Sequence, residues 1–215
     1  NNVMGTDNVL RASLAAKVGK VVYAASSTYY GNQAIPFAED LPMAISSPYA
    51  LAKHEGELLM NLYTELYNLP TVNCRLFMVF GPRQPSEGAY AIVTGLFLKQ
   101  HEQGLALTVE GDGSHFRDFI HVDDVTRGLV MAYQNPEARG VTVNLGSGTG
   151  VSVKEVADMV SAHQVHVPER PNDLVGTLAN TCVAKSLLGF ETKKEFRVEM
   201  KRYVDDILAR RFAES

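Results

Sequence analysis

Tyr49 and Lys53 stand four residues apart in the stretch SPYALAKHEGE. In a helix that spacing puts both side chains on one face. A lysine ammonium beside a phenol favours the phenolate, and a phenol so placed can act as a general base near neutral pH. The pair alone specifies little, because tyrosine and lysine meet at this spacing by chance in many helices. A second group sharpens it. Ser26, Ser27 and Thr28 close a short apolar run, and Tyr30 and Gly31 follow. Hydroxyls at the carboxyl end of a parallel strand lie where the ligands of doubly wound sheets bind.

These residues need a parallel sheet and a well-started helix to hold them. The opening NNVMGTDNVLRASLAAKVGK predicts a helix, with Val3, Leu10 and Leu14 near one face and Gly19 as its stop. The apolar run at 21–25 suits a strand buried on both faces. Ser47 as cap and Pro48 at the first helical position predict a helix to about Tyr67. Further strands are expected at 71–77, 107–110, 116–121 and 141–145, with breaks at Gly81-Pro82 and at the GDG turn of 111–113. Helices are expected at 89–103 and 123–135. Ser152 and Glu155 form a capping box for another, to about Ser161. The tail alternates loops with two helices, the last over about 195–211. Helices alternating with strands in this way indicate α/β architecture with a parallel sheet.

A net charge of -4 supplies no electrostatic case for nucleic acid. No apolar run is long enough to cross a bilayer, and the first residues do not have the pattern of a signal peptide. Cys74 and Cys182 lie outside any CxxC pair and read as buried, reduced thiols of a cytoplasmic protein. His121-Val122-Asp123-Asp124 crowds three potential ligands into poor zinc geometry, so no metal is expected. His115, His163 and His166 read as loop or surface residues.

Taken in order, the motifs resemble the extended short-chain dehydrogenases, the NAD-dependent epimerase/dehydratase family, and most closely its UDP-glucose 4-epimerase-like group. Seven blocks carry the likeness: NNVMGTDNVL, VVYAASSTYYG, SPYALAKHEGE, RLFMVFGPRQ, LTVEGDGSHFRDFIHVDDV, VNLGSG and RPNDLVGTLANTCVAKSLLG. The resemblance implies that Tyr49 is the catalytic base and that Lys53 lowers its pKa and holds the nicotinamide ribose. It implies that Ser26 bridges the reacting sugar oxygen and the tyrosine. Asn1 and Phe77 match positions that touch NAD. Thr28 and Met78 match substrate positions, and Arg117, Arg170 and Asp173 match residues that hold the sugar diphosphate and ribose. Arginine suits that task because its planar fork meets phosphate oxygens at two points. The bland alternative for Arg117 is a surface salt bridge with Asp118.

The expected fold is α/β: the later part of a Rossmann-like parallel sheet with a smaller α/β substrate domain interleaved. Residues 1–81 and 121–148 are assigned to the first, and 82–120 and 149–215 to the second. The implied activity is inversion of a sugar hydroxyl, at C4, by transient oxidation with bound NAD. The expected partners are a UDP-sugar and a second copy of the chain, the dimer forming through the helices of 1–17 and 48–68. The rivals are a dehydratase or reductase of the same family and a non-catalytic fragment that binds sugar nucleotide.

Some features depart from the family pattern. Met78 stands where an asparagine is usual, Glu110 where an aromatic residue often lies near the base, and Leu76 where tyrosine is frequent. A dinucleotide site also needs a glycine-rich turn between its first strand and helix. The only glycine cluster, GSGTG at 146–150, follows a late strand, so the sequence reads as coming from a longer protein.

Overall fold

The computed structural model describes residues 2–88, 91–169 and 174–214. The chain runs α1 (Asn2–Ala15), β1 (Val21–Ser26), α2 (Pro48–Tyr67), β2 (Thr71–Leu76), β3 (Met78–Phe80) and α3 (Val93–Glu102). It continues through β4 (Leu107–Glu110), β5 (Phe116–His121), α4 (Val122–Gln134), β6 (Val141–Leu145), β7 (Gly150–Ser152) and α5 (Val153–Val160). β8 (Gln164–Val167), α6 (Cys182–Leu188) and α7 (Phe196–Glu214) complete it. The mixed α/β architecture expected from the sequence is present.

The sheet that carries the hydroxyl cluster is parallel, in the order β1-β2-β6. Ser26 pairs in register with Leu76, and Leu76 with Leu145, so the three strands end together. β3 pairs parallel with β5, and β5 antiparallel with β7. β4 and β8 form a separate parallel pair.

Two hydrophobic clusters hold these layers. The first gathers Val72, Cys74, Phe77, Val143 and Leu145 with Ala184, Leu188 and Phe190, so α6 packs on the β1-β2-β6 sheet. The second gathers Phe80, Phe97, Leu107, Val109, Phe119 and Val156 with Phe196 and Met200 of α7. Asp118 of β5 ties the two regions together. Its carboxylate is fully buried and accepts the amides of Ser147 at 2.7 Å, Gly148 at 2.9 Å and Ala179 at 3.0 Å. One carboxylate thereby gathers three loop amides, and that of Ala179 would otherwise be buried without a partner.

Several local expectations are corrected. The first helix ends at Ala15, and Lys17, not Gly19, takes the left-handed turn at φ 54°. The interactions of the following turn hold that lysine in place despite its Cβ, since the amide of Val18 bonds back to the Ser13 carbonyl. β1 is not buried on both faces. Ala24 is exposed, and only Ala25 and Ser26 are buried, because among the described residues β1 has a neighbour on one side alone. The helix expected from 89 begins at Val93. β3, β7 and β8 were not expected. Cys74 is buried as expected, but Cys182, at the start of α6, is exposed. His166 is a surface residue as expected, exposed within β8.

Candidate active site

β1 delivers Ser26 to the carboxyl end of the sheet, where the chain turns into a short 3-10 helix, Ser27–Tyr30. Ser26 caps that turn. Its Oγ accepts the amide of Thr28 at 3.3 Å and lies 3.0 Å from the Thr28 hydroxyl. Ser26 is buried and Thr28 half-buried, so the two hydroxyls form one polar spot at the strand end.

α2 starts beside it as the sequence predicts. The Ser47 hydroxyl accepts the amide of Ala50 at 3.1 Å, and Pro48 occupies the first turn, where no amide donor is needed. Ala50 is fully buried against Ala25 and Tyr29, which presses the segment bearing Tyr49 against the one bearing Ser26. Tyr49 itself is 52% exposed and so open to a ligand. One turn later, the Lys53 ammonium donates to the carbonyl of Ala24 in β1 and sits 4.3 Å from the centre of the Tyr23 ring. Burial holds that ammonium below its ordinary pKa. Tyr23 returns the contact, its hydroxyl donating to the Lys53 carbonyl at 3.1 Å. Gly56 makes this possible, since a Cβ there would stand 2.2 Å from the Tyr23 hydroxyl.

Behind these groups lies a buried polar network that the sequence reading missed. Glu57 accepts from Arg75 at two points, Nη2 to Oε1 at 2.6 Å and Nε to Oε2 at 3.1 Å. Arg75 Nη1 also donates to the Tyr30 hydroxyl at 2.6 Å, which donates to Asn144 Oδ1 at 2.8 Å. Burial opposes the charge on Arg75, but the Glu57 carboxylate outweighs it and holds the guanidinium above its ordinary pKa. Spacing was the available signal: Glu57 follows Lys53 by four residues and so shares its helix face.

A cleft of about 250 Å³ gathers Met78, Thr108, Glu110, His115 and Arg117. Arg117 Nη1 donates to the carbonyls of Phe116 and Leu174, at 2.9 and 2.8 Å. Its neighbour Asp118 points the other way, into the core, as alternate strand residues must. His115, in a loop as expected, lines this cleft and pairs with Glu169 at 2.7 Å. Phe77 lies in the core, its ring centre 6.4 Å from that of Tyr30. Asn1, Arg170 and Asp173 lie outside the described residues. A larger cavity, about 430 Å³, opens elsewhere, between α3 and α7. Its lining includes Lys194 and Glu199, which pair with each other at 3.1 Å. His121 reaches it too. It caps α4 through Nδ1 and meets the Tyr203 hydroxyl at 2.7 Å through Nε2.

Hydroxyls and a lysine gathered at the common carboxyl end of parallel strands are the arrangement of an α/β protein of the Rossmann-like class. The chain belongs to the NAD dependent epimerase/dehydratase family, whose model matches residues 1–146. It is 34% identical over 199 residues to a UDP-glucose 4-epimerase of Mycolicibacterium smegmatis, covering 88% of this chain and 63% of that one. The chain thus spans less than two thirds of that relative's length. Its fold matches the UDP-glucose 4-epimerase of Thermotoga maritima, solved with UDP-glucose, at a TM-score of 0.90 and 26% identity, over 98% of this chain and 70% of the other. A UDP-glucuronic acid 4-epimerase of Bacillus cereus, solved with UDP-glucuronic acid and NAD, matches at a TM-score of 0.88 and 29% identity, over 97% and 68%.

Proposed function

We propose that this chain is the larger part of a nucleotide-sugar epimerase that inverts a sugar hydroxyl, at C4, by transient oxidation with bound NAD. The observation that carries the reading is the meeting of Ser26, at the end of β1, with the α2 segment that bears Tyr49 and Lys53. The donor set suits a dinucleotide: Lys53 offers an ammonium for ribose hydroxyls, and Ser26 and Tyr49 offer hydroxyls for the reacting sugar oxygen. When bound, NAD supplies a reversible hydride acceptor, so the reaction is redox-neutral overall. Asn1 and Phe77 complete the cofactor set.

In this reading Tyr49 takes the proton of the C4 hydroxyl as that carbon is oxidised, and returns it once the sugar has turned over. Ser26 and Thr28 orient the oxygen. Met78, Arg117, Arg170 and Asp173 hold the nucleotide, and the shared cleft of Met78 and Arg117 supports that assignment. A UDP-sugar is the substrate, supported by the UDP-sugars bound in the Thermotoga and Bacillus structures. Residues 1–81 and 121–148 serve the cofactor, and 82–120 and 149–215 the substrate. The two hydrophobic clusters support that division, although Ile120 and Ala179–Phe190 pack with the first and Phe80 with the second. The protein acts in the cytoplasm as a homodimer. Exposed apolar side chains on α1 and α2, among them Met4, Val9, Leu58, Leu62 and Leu66, support pairing through those helices. No described helix is long and apolar enough to cross a membrane.

The test is proton NMR of UDP-glucose incubated with the full-length protein and NAD. Appearance of the C4 epimer's anomeric signal is expected. Failure to interconvert UDP-glucose, UDP-N-acetylglucosamine or UDP-glucuronic acid with their C4 epimers would sink the reading.

A further inference from the structure

We propose that Tyr29 is a positioning residue for the reaction, its phenol fixing Ser26 against the helix that carries Tyr49 and Lys53. The inference rests on the proposed function for its catalytic consequence, but its geometric content stands apart from it.

Tyr29 is fully buried, and its hydroxyl is used twice. It accepts the backbone amide of Ser26 at 3.1 Å and donates to Glu57 Oε2 at 2.7 Å. A single oxygen therefore links the last residue of β1 to the third turn of α2. In an ordinary capping box the third residue of the turn is Glu or Gln, which reaches back to the cap amide and stops there. A phenol in that place reaches farther and has a proton to give. Burial, and next the Glu57 charge, push its pKa far above that of an ordinary tyrosine, so it remains a donor.

The far end of the link is rigid. Glu57 is clamped at two points by Arg75 of β2, and the Arg75 guanidinium lies 5.4 Å from the centre of the Tyr29 ring. Arg75 pairs in register with Ala25, the residue before Ser26. Glu57 is one helical turn beyond Lys53 and a further turn beyond Tyr49. The Ser26 side chain is already committed to the turn through the Thr28 amide. With its own amide held by Tyr29, Ser26 has little freedom relative to α2. A proton-transfer site gains from such restraint, because a misplacement of about 1 Å can cost about a hundred-fold in rate.

The experiment compares Tyr29→Phe with Tyr30→Phe in the full-length protein. Both remove one buried hydroxyl from the same network, but the Tyr30 phenol bonds Arg75 and Asn144 and does not touch Ser26. Tyr29→Phe is expected to lower kcat about ten-fold or more with KM little changed, while Tyr30→Phe changes kcat by about two-fold or less. Backbone amide exchange gives the second readout. Protection at the Ser26 amide should fall in Tyr29→Phe alone, with Val22 and Ala24 of β1 unaffected. Equal kcat losses in the two variants, or unchanged Ser26 protection, would overturn the proposal. If the wild type shows no epimerisation, the functional reading fails, and the exchange experiment still decides whether Tyr29 holds Ser26.

Discussion

Arg75 and Glu57 meet in a two-point contact in which both residues are almost fully buried, with Nη2 2.6 Å from Oε1. The pair joins the middle strand of the sheet to the helix that carries Tyr49 and Lys53. Removing one member of such a pair leaves the other charge buried and uncompensated, at a cost of about 3–5 kcal/mol. Glu57→Gln should therefore lose most of that stability in urea unfolding. Combining Glu57→Leu with Arg75→Met should lose less than either single change, because no lone charge remains. A Glu57→Gln loss below about 1 kcal/mol would mean the contact is worth no more than a surface ion pair.

Tyr49→Phe in the full-length protein should abolish turnover and leave sugar-nucleotide affinity unaltered. The change removes one oxygen from a side chain that is half exposed, so no structural loss should accompany it. Steady-state kinetics with calorimetric titration of UDP separates the two effects. A rate near that of the wild type removes Tyr49 from the mechanism.

Arg117→Ala should weaken UDP binding. A hydrogen bond from a charged group contributes about 1.5–3 kcal/mol, which corresponds to roughly ten-fold or more in Kd. Arg170→Ala should act in the same direction. Unchanged affinity in both variants would confine Arg117 to its contacts with the Phe116 and Leu174 carbonyls.

The product should have the mass of the substrate. Loss of water from C5–C6 needs an acid for the leaving hydroxyl and a base for the C5 proton. The two residues after Ser26 are Ser27 and Thr28, neutral hydroxyls unsuited to either task. The nearest carboxylate in sequence, Glu39, is occupied by the backbone amide of Asn144 at 2.8 Å. A mass spectrum showing a product lighter by one water, from UDP-hexoses or dTDP-glucose, would make dehydration the better assignment.

The two thiols should react at different stages. Cys182 is exposed and should consume one equivalent of a disulfide reagent in the native protein. Cys74 should react only on unfolding. Burial pushes its pKa from 9.0 up to about 12, so the folded state favours the protonated thiol. Its contribution to stability is present below about pH 9 and is lost as pH rises towards 12, where the unfolded thiol has ionised first. Labelling of Cys74 in the folded protein, located by peptide mass mapping, would contradict its burial.

What the sequence by itself determined is local or strongly patterned. Ser47 and Pro48 announce the start of α2 because a cap acts on amides within three residues. The segments 107–110, 116–121 and 141–145 are legible as strands, although Arg117, Asp118 and His121 interrupt the apolar character of the second. The spacing of Tyr49 and Lys53 places them on one helix face before any fold is known. What the tertiary structure alone decided depends on partners distant in the chain. β3, β7 and β8 are only three or four residues long and become strands by pairing, so no local pattern marks them. The sequence does not reveal that Lys53 spends its ammonium on the Ala24 carbonyl, 29 residues away. Nor does it reveal that Tyr29 and Arg75 share Glu57, across separations of 28 and 18 residues. A helix period can put Glu57 on the right face, but only a folded sheet brings the guanidinium and the phenol to it.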